Sequence, residues 1–142
     1  DKDFIQLHSF KNVIQYDSVH SKFITHDDPI NYRNEHIMRG DASDGIPNVL
    51  SQDDCFVVGE RQKPLTKKRL ETLLSGEPMP VEIARNYMRN KNLIDLTMIP
   101  KDICYSILES YKDQENKKSN DLMNYFINHR LKNLMQDLQE FV

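Results

Sequence analysis

The sequence has no tryptophan, only two cysteines among its 142 residues, and no apolar run longer than Cys55–Val58. Each scarcity excludes a class. A run that short neither crosses a membrane as a helix nor forms the core of a signal peptide. Cys55 and Cys104 lie far apart, build neither a disulfide framework nor a zinc-binding spacing, and suit a reducing cytoplasm. There is no P-loop, no nucleophile elbow, no glycine fingerprint for nucleotides and no internal repeat. What is present is a polar but foldable balance, 38% hydrophobic and 29% charged. It is too rich in Leu, Ile, Phe and Tyr for a disordered chain, and the length fits one ordinary domain.

The formal charge of −3 argues at first against a nucleic-acid partner, yet it is unevenly spread. Residues 1–60 carry −6, residues 61–91 carry +5, and residues 92–142 carry −2. Between Arg61 and Arg69 there are five positive charges and no negative one. Such local polarity governs binding more than the total does.

Hydrophobic periodicity changes along the same line. Val13–Asp17 and Lys22–Thr25 are β-prone runs around a polar turn and predict a hairpin. Asp28-Pro29 reads as an N-cap followed by Pro at the first helical position, and Gly40 stops that helix. Everything after Asn48 reads as helical. Thr66 caps a helix carrying Leu70, Leu73 and Leu74, with Leu65 and Leu70 at staple positions and Gly76 at its end. Pro80 opens a helix with Val81, Ala84, Tyr87 and Met88 on one face. Pro100 opens another with Ile103, Cys104, Ile107, Leu108 and Tyr111 inward. Gln114–Asn120 is a polar loop, and Ser119 caps a last helix carrying Leu122, Met123, Phe126 and Ile127. Leu131, Leu134, Met135 and Leu138 continue its period, as one helix or as two broken near His129. Tyr87, Tyr105, Tyr111, Tyr125 and Phe126 are expected in the core or at its rim. One hairpin with one or two helices cannot cover a sheet on both faces, so the α/β piece looks incomplete.

Two pairs of carboxylates stand out. In Arg39–Asn48, R-G-D-A-S-D-G-I-P-N, the loop residues Gly40, Ser43, Gly45 and Pro47 surround Asp41 and Asp44. Such a turn can point both carboxylates at one hard divalent cation, and equally suits an Asp/Ser capping loop. A calcium loop of the EF-hand type fails, because counting from Asp41 places Ile46 and Gln52 where Gly and Glu are required. The second pair, Asp1 and Asp3, precedes Phe4-Ile5-Gln6-Leu7 and reads as a strand end turning into a short helix, with both carboxylates on one side. Brought together, four carboxylates repel one another and imply a bound metal. His8, His20, His26, His36 and His129 share no metal-ligand spacing. Arg85 and Arg89, four apart, either extend the basic block or pair with Glu82.

D-K-D-F-I-Q-L, a hairpin, and then G-D-A-S-D-G-I-P-N in that order resemble the 5′→3′ exonuclease and flap endonuclease family. With G-E-R-Q-K-P-L-T-K-K-R-L and N-L-M-Q-D-L-Q-E-F, the chain is most similar to the ribonuclease H branch found in T-even-type bacteriophages. The likeness covers essentially the whole chain but only the carboxy-terminal half of a family member. It implies a mainly α fold, a helical cluster with a helix-three-turn-helix-type DNA-binding motif plus a hairpin left from an incomplete α/β nuclease core. Residues 1–40 would be the remnant of that core and 41–142 the DNA-binding domain. The resemblance makes Asp1, Asp3, Asp41 and Asp44 the holders of the second of two Mg2+ ions, for which Mn2+ can substitute. It makes the substrate a DNA or RNA–DNA duplex with a 5′ end or flap, as in primer removal. The start at Asp1 is then a cut through the active site, and the chain alone is expected to be inactive. Its partner is the missing amino-terminal half, with a replication single-strand-binding protein or clamp as a further partner, in the cytoplasm of a bacterial host. Family members often carry a glycine-rich turn and a lysine-bearing helix after the second motif. Here Val49–Glu60 intervenes, and Arg61, Lys63, Lys67, Lys68 and Arg69, with the backbone at Gly45, are the candidates for phosphate contact. A non-catalytic helical module that binds DNA or a replication protein is the competing class. A third, a structural protein whose acids merely cap helices, predicts neither metal nor DNA binding.

Overall fold

A computed structural model of the chain describes residues 2–115 and 122–136. Asp1, Ser119 and Leu138 lie outside the described residues. The chain divides into two compact units, Asp1–Ile99 and Pro100–Val142.

The first unit opens with a 3₁₀ helix over Asp3–Ser9. The backbone of Lys2 is right-handed helical, so Asp3 begins a helical turn instead of ending a strand. β1 (Gln15–Asp17) and β2 (Lys22–Ile24) pair antiparallel with Tyr16 opposite Phe23, the expected hairpin. Their rings meet edge to face, centroids 5.1 Å apart. α1 (Pro29–Arg39) starts where Asp28 accepts the Asn31 N–H at 2.9 Å. It ends at Gly40, whose N–H reaches the His36 carbonyl at 2.8 Å. α2 (Lys67–Leu74) begins at Thr66, whose hydroxyl accepts the Arg69 N–H. α3 (Val81–Ile94) follows Pro80.

Three expectations need correction in this unit and the next. No helix forms between Arg39 and Lys67, where the chain runs as turns and extended loop. On α3 it is Ile83, Asn86, Tyr87, Asn90 and Ile94 that turn inward, while Val81 is 89% exposed and Met88 47%. An apolar-only reading rotated this helix, because two of its innermost positions are asparagines. In the second unit α4 (Lys101–Glu115) forms after Pro100 and runs into the expected polar loop at Gln114. Its Ile103, Tyr105, Ile107, Leu108 and Tyr111 are exposed rather than inward. α5 (Leu122–Asn128) buries Phe126, leaves Tyr125 exposed, and stops just before His129, so the helix does not run on unbroken. There Arg130 takes a positive φ of 55°, and the Leu131 N–H turns back to the Phe126 carbonyl at 2.9 Å.

Packing in the first unit joins the loop to the helices. Met38, Val49, Leu50 and Leu70 form one buried cluster, with Leu65, Leu73, Leu74, Met79 and Ile83 against it, so the Leu65–Leu70 staple is in place. Ile37, Ile46 and Ile94 form a second cluster, and Tyr87 touches both. Gln6 ties the first 3₁₀ helix to the end of α3, its amide donating to the Ile94 carbonyl at 2.9 Å and accepting the Leu96 N–H at 3.3 Å. That bond fixes where Asp3 stands.

The loop after α1 is held by buried polar groups. Asn90 donates to the Ile37 and Pro47 carbonyls at 2.8 and 2.9 Å. Asn86 donates to the Val49 and Ser51 carbonyls at 3.0 and 3.2 Å. Asn48 adds a bond to the Lys63 carbonyl at 2.8 Å. Buried carbonyls without such donors would each be costly. These asparagines therefore act as part of the core.

Asp53, within the segment that departs from the family pattern, pairs with both Arg85 and Arg89. The two arginines thus neither join the basic block freely nor pair with Glu82. First Arg89 and then Arg85 hold the Asp53 carboxyl below its ordinary range. A lowered folded value means stabilisation that is present above the unfolded pKa of ~3.9 and lost as pH falls through the folded value. The pair is half exposed, which limits its worth. Asp53→Asn should cost about 1 kcal/mol at pH 7 and almost nothing near pH 2, read from urea midpoints at the two pH values. An equal deficit at both would show that the ion pair is not its source.

Candidate functional site

Residues from two distant segments converge beside α1. His36 lies in the last turn of that helix. Gly40 then reverses the chain at φ 67°, which returns Asp41 over the same turn. The Ile46 N–H donates to the Asp41 carbonyl at 2.7 Å and closes the loop. From the other side the 3₁₀ helix, anchored through Ile5 and Gln6, delivers Asp3. The ring of His36 stands between the two carboxylates: Nε2 is 3.3 Å from Asp41 Oδ2, and Nδ1 is 3.4 Å from Asp3 Oδ1. One ligand atom from each of Asp3, His36 and Asp41 lies within 4.8 Å of the others. All three side chains are half-buried.

Electrostatics follow from this geometry. Asp41 Oδ1 accepts the Ser43 hydroxyl and the Ser43 N–H, the latter at 2.8 Å. The Ser43 hydroxyl above all, then the Ser43 N–H, His36 and the Asp44 N–H, holds the Asp41 carboxyl below its ordinary range despite opposing burial. An ionised carboxylate at neutral pH is what a divalent cation requires. Tyr32, one turn before His36, packs edge to face on its ring with centroids 5.8 Å apart. Burial, then the charges of Asp3 and Asp41, pushes the Tyr32 phenol up. The same field of two carboxylates that attracts a cation disfavours phenolate nearby.

The remaining site residues are placed as follows. Asp44 stands exposed on the turn, outside the Asp3–His36–Asp41 group. Gly45 is exposed with φ 75°. Arg61, Lys63, Lys67, Lys68 and Arg69 are all exposed. Lys63 and Arg69 line one open groove with Val49, Leu50 and Ile83, and Lys67 reaches Glu71 at 4.0 Å. Asp17 Oδ2 binds the ring of exposed His20 at 2.7 Å, which leaves that histidine a hairpin residue.

The five histidines share no metal-ligand spacing with one another, and His36 meets two aspartates instead. Spacing rules look three or four residues ahead on one helix. His36 and Asp41 are instead brought together across a helix stop. The signal that carries this is H-I-M-R-G-D: a histidine one turn before the glycine that folds Asp41 back.

Residues 33–141 match the family model described as T4 RNase H, C terminal. The ribonuclease H of Enterobacteria phage T4 is 27% identical over an alignment covering 99% of this chain. The chain spans half the length of that relative. The matched region takes in His36, Asp41, the basic block and α2 to α5. The chain belongs to the T4 RNase H C-terminal family.

Proposed function

We propose that this chain is the carboxy-terminal portion of a two-metal, structure-specific 5′→3′ nuclease that removes RNA primers and 5′ flaps during DNA replication. The observation that carries the reading is the convergence of Asp3 and Asp41, which enter from separate segments and meet within metal-ligand distance. The donors fit a hard divalent ion such as Mg2+, being carboxylate oxygens on anchored backbone. Asp3 and Asp41 hold the ion, and Asp1 and Asp44 complete its carboxylate set. Ser43 keeps the Asp41 carboxylate ionised and aimed. When bound, a divalent ion at such a site acidifies a water and offsets charge on the phosphoryl oxygens.

The substrate side of the reading rests on charge. Arg61, Lys63, Lys67, Lys68 and Arg69 surround the start of α2, where backbone N–H groups point outward and favour phosphate. Gly45 offers its backbone beside the carboxylates, and α2 and α3, which follow the loop from Asp41, grip the duplex as the helices of a helix-three-turn-helix. Each phosphate neutralised releases counterions, so the grip weakens as salt rises. The amino-terminal half of the enzyme supplies the first metal and the rest of the pocket, and this portion alone does not cleave.

Mn2+ titration of the 142-residue chain tests the reading. Saturable binding is expected, weakened about tenfold or more by Asp3→Asn and by Asp41→Asn. Binding that is unchanged in the variant carrying both substitutions would sink it.

A further inference from the structure

We infer that His36 is a nitrogen ligand of the ion held by Asp3 and Asp41, and that it tilts this site toward Mn2+ and away from Mg2+. The inference rests on the metal reading given above and adds a residue and a selectivity to it.

The first argument is chemical. Both ring nitrogens of His36 face carboxylate oxygens, at 3.3 Å from Asp41 and 3.4 Å from Asp3. Carboxylates only accept hydrogen bonds, and a neutral imidazole donates one and presents one lone pair. In the neutral ring, whichever nitrogen carries the proton, the other turns its lone pair on an oxygen lone pair; only a second proton or a cation relieves that contact. A divalent cation between them converts that contact from repulsion to coordination.

The second argument is geometric. An ion takes one nitrogen of the ring, and one donor atom each from Asp3, His36 and Asp41 lies within 4.8 Å of the others, close enough to share an ion after small side-chain shifts. His36 Nδ1 is buried and has no hydrogen-bond partner. The ring cannot easily swing away. It sits on the last turn of α1, 12% exposed, with Tyr32 packed edge to face against it. A donor held in this way is preorganised, and losing it is felt in affinity.

Selectivity follows from ligand type. Mg2+ takes oxygen ligands almost exclusively and keeps its waters, whereas imidazole suits transition ions. Two carboxylates with one imidazole form a mixed set that Mn2+ accepts and Mg2+ does not reward.

Pulsed electron paramagnetic resonance on the Mn2+-loaded 142-residue chain tests this without any turnover assay. Imidazole nitrogen modulation of the Mn2+ signal is expected in the unmodified chain and should vanish in His36→Gln, which separates His36 from the other histidines. Competition with Mg2+ should show His36→Gln lowering Mn2+ affinity about tenfold while Mg2+ affinity moves less than twofold. The modulation in the unmodified chain needs no variant to fold. Mn2+ that binds through the aspartates without nitrogen modulation overturns the inference and leaves the metal reading standing. An absence of saturable Mn2+ binding overturns both.

Discussion

Gly40→Ala should unfold the first unit or nearly so, with a loss of at least ~3 kcal/mol in urea denaturation. Gly40 sits at φ 67° and ψ −176°, a region in which side-chain-bearing residues are strained by about 1–3 kcal/mol. Space adds to the strain. A Cβ there would lie 2.3 Å from the Ile46 carbonyl oxygen and 2.6 Å from Pro47 backbone atoms. Those atoms belong to backbone pinned from α3, so no flexible side-chain end can give way. Gly45→Ala is the internal control. It also has a positive φ, 75°, but nothing lies within 4 Å of its added Cβ. Its cost should stay near ~1 kcal/mol. Equal losses in the two variants would show that close approach at Gly40 is not what the loop depends on. The same variant should lose Mn2+ binding, since Gly40 is what returns Asp41 to His36.

Local chemistry made much of this molecule legible before any coordinates. The caps at Asp28 and Thr66 and the stop at Gly40 each rest on interactions within a few residues, and each is present; periodicity leaves open whether the last helix breaks near His129, where α5 ends. The carboxylates Asp3 and Asp41 could be named from their motifs. Their meeting could not be, because it depends on Gln6 bonding to the far end of α3. His36 escaped for the reason that its partner lies beyond a reversal of the chain. The face of α3 is hidden from a hydropathy pattern because its inward asparagines look polar, and the apolar stripe of α4 is exposed where the pattern points it inward. The segment 49–66 falls in the stretch after Asn48 that reads as helical, and it is a folded loop. The Asn48, Ser51 and Gln62 side chains serve its backbone. Periodicity sees which residues are apolar. It does not see which carbonyls need donors.

Those carbonyls give the other large effect, at Asn90. Its side chain is wholly buried, and its amide nitrogen serves the Ile37 and Pro47 carbonyls while its oxygen accepts the Arg89 Nε–H at 2.9 Å. Asn90→Leu keeps the volume but removes the donor. Ile37 O then loses this donor in the interior, while Pro47 O keeps its bond from Arg89 at 3.0 Å. A loss of about 2–3 kcal/mol is expected from unpaired buried polar groups of this kind. Asn90→Asp should be worse, since it sets a carboxylate oxygen against two carbonyl oxygens. The sign of its pH dependence separates bonding from packing. Burial and the two carbonyl oxygens raise the folded pKa of such a carboxyl, against the Arg89 guanidinium at its other oxygen, so where burial outweighs that cation stability is retained below the unfolded value of ~3.9 and lost as pH rises. The deficit of Asn90→Asp should therefore exceed that of Asn90→Leu at pH 8 and shrink toward or below it at pH 4, read from urea midpoints. A deficit for Asn90→Asp that does not change between those pH values would mean that cavity and shape, not the donor, hold the loop. The donor matters to function because Pro47 ends the turn that begins at Asp41. Removing one of the two donors to its carbonyl should loosen the carboxylate of the proposed metal site.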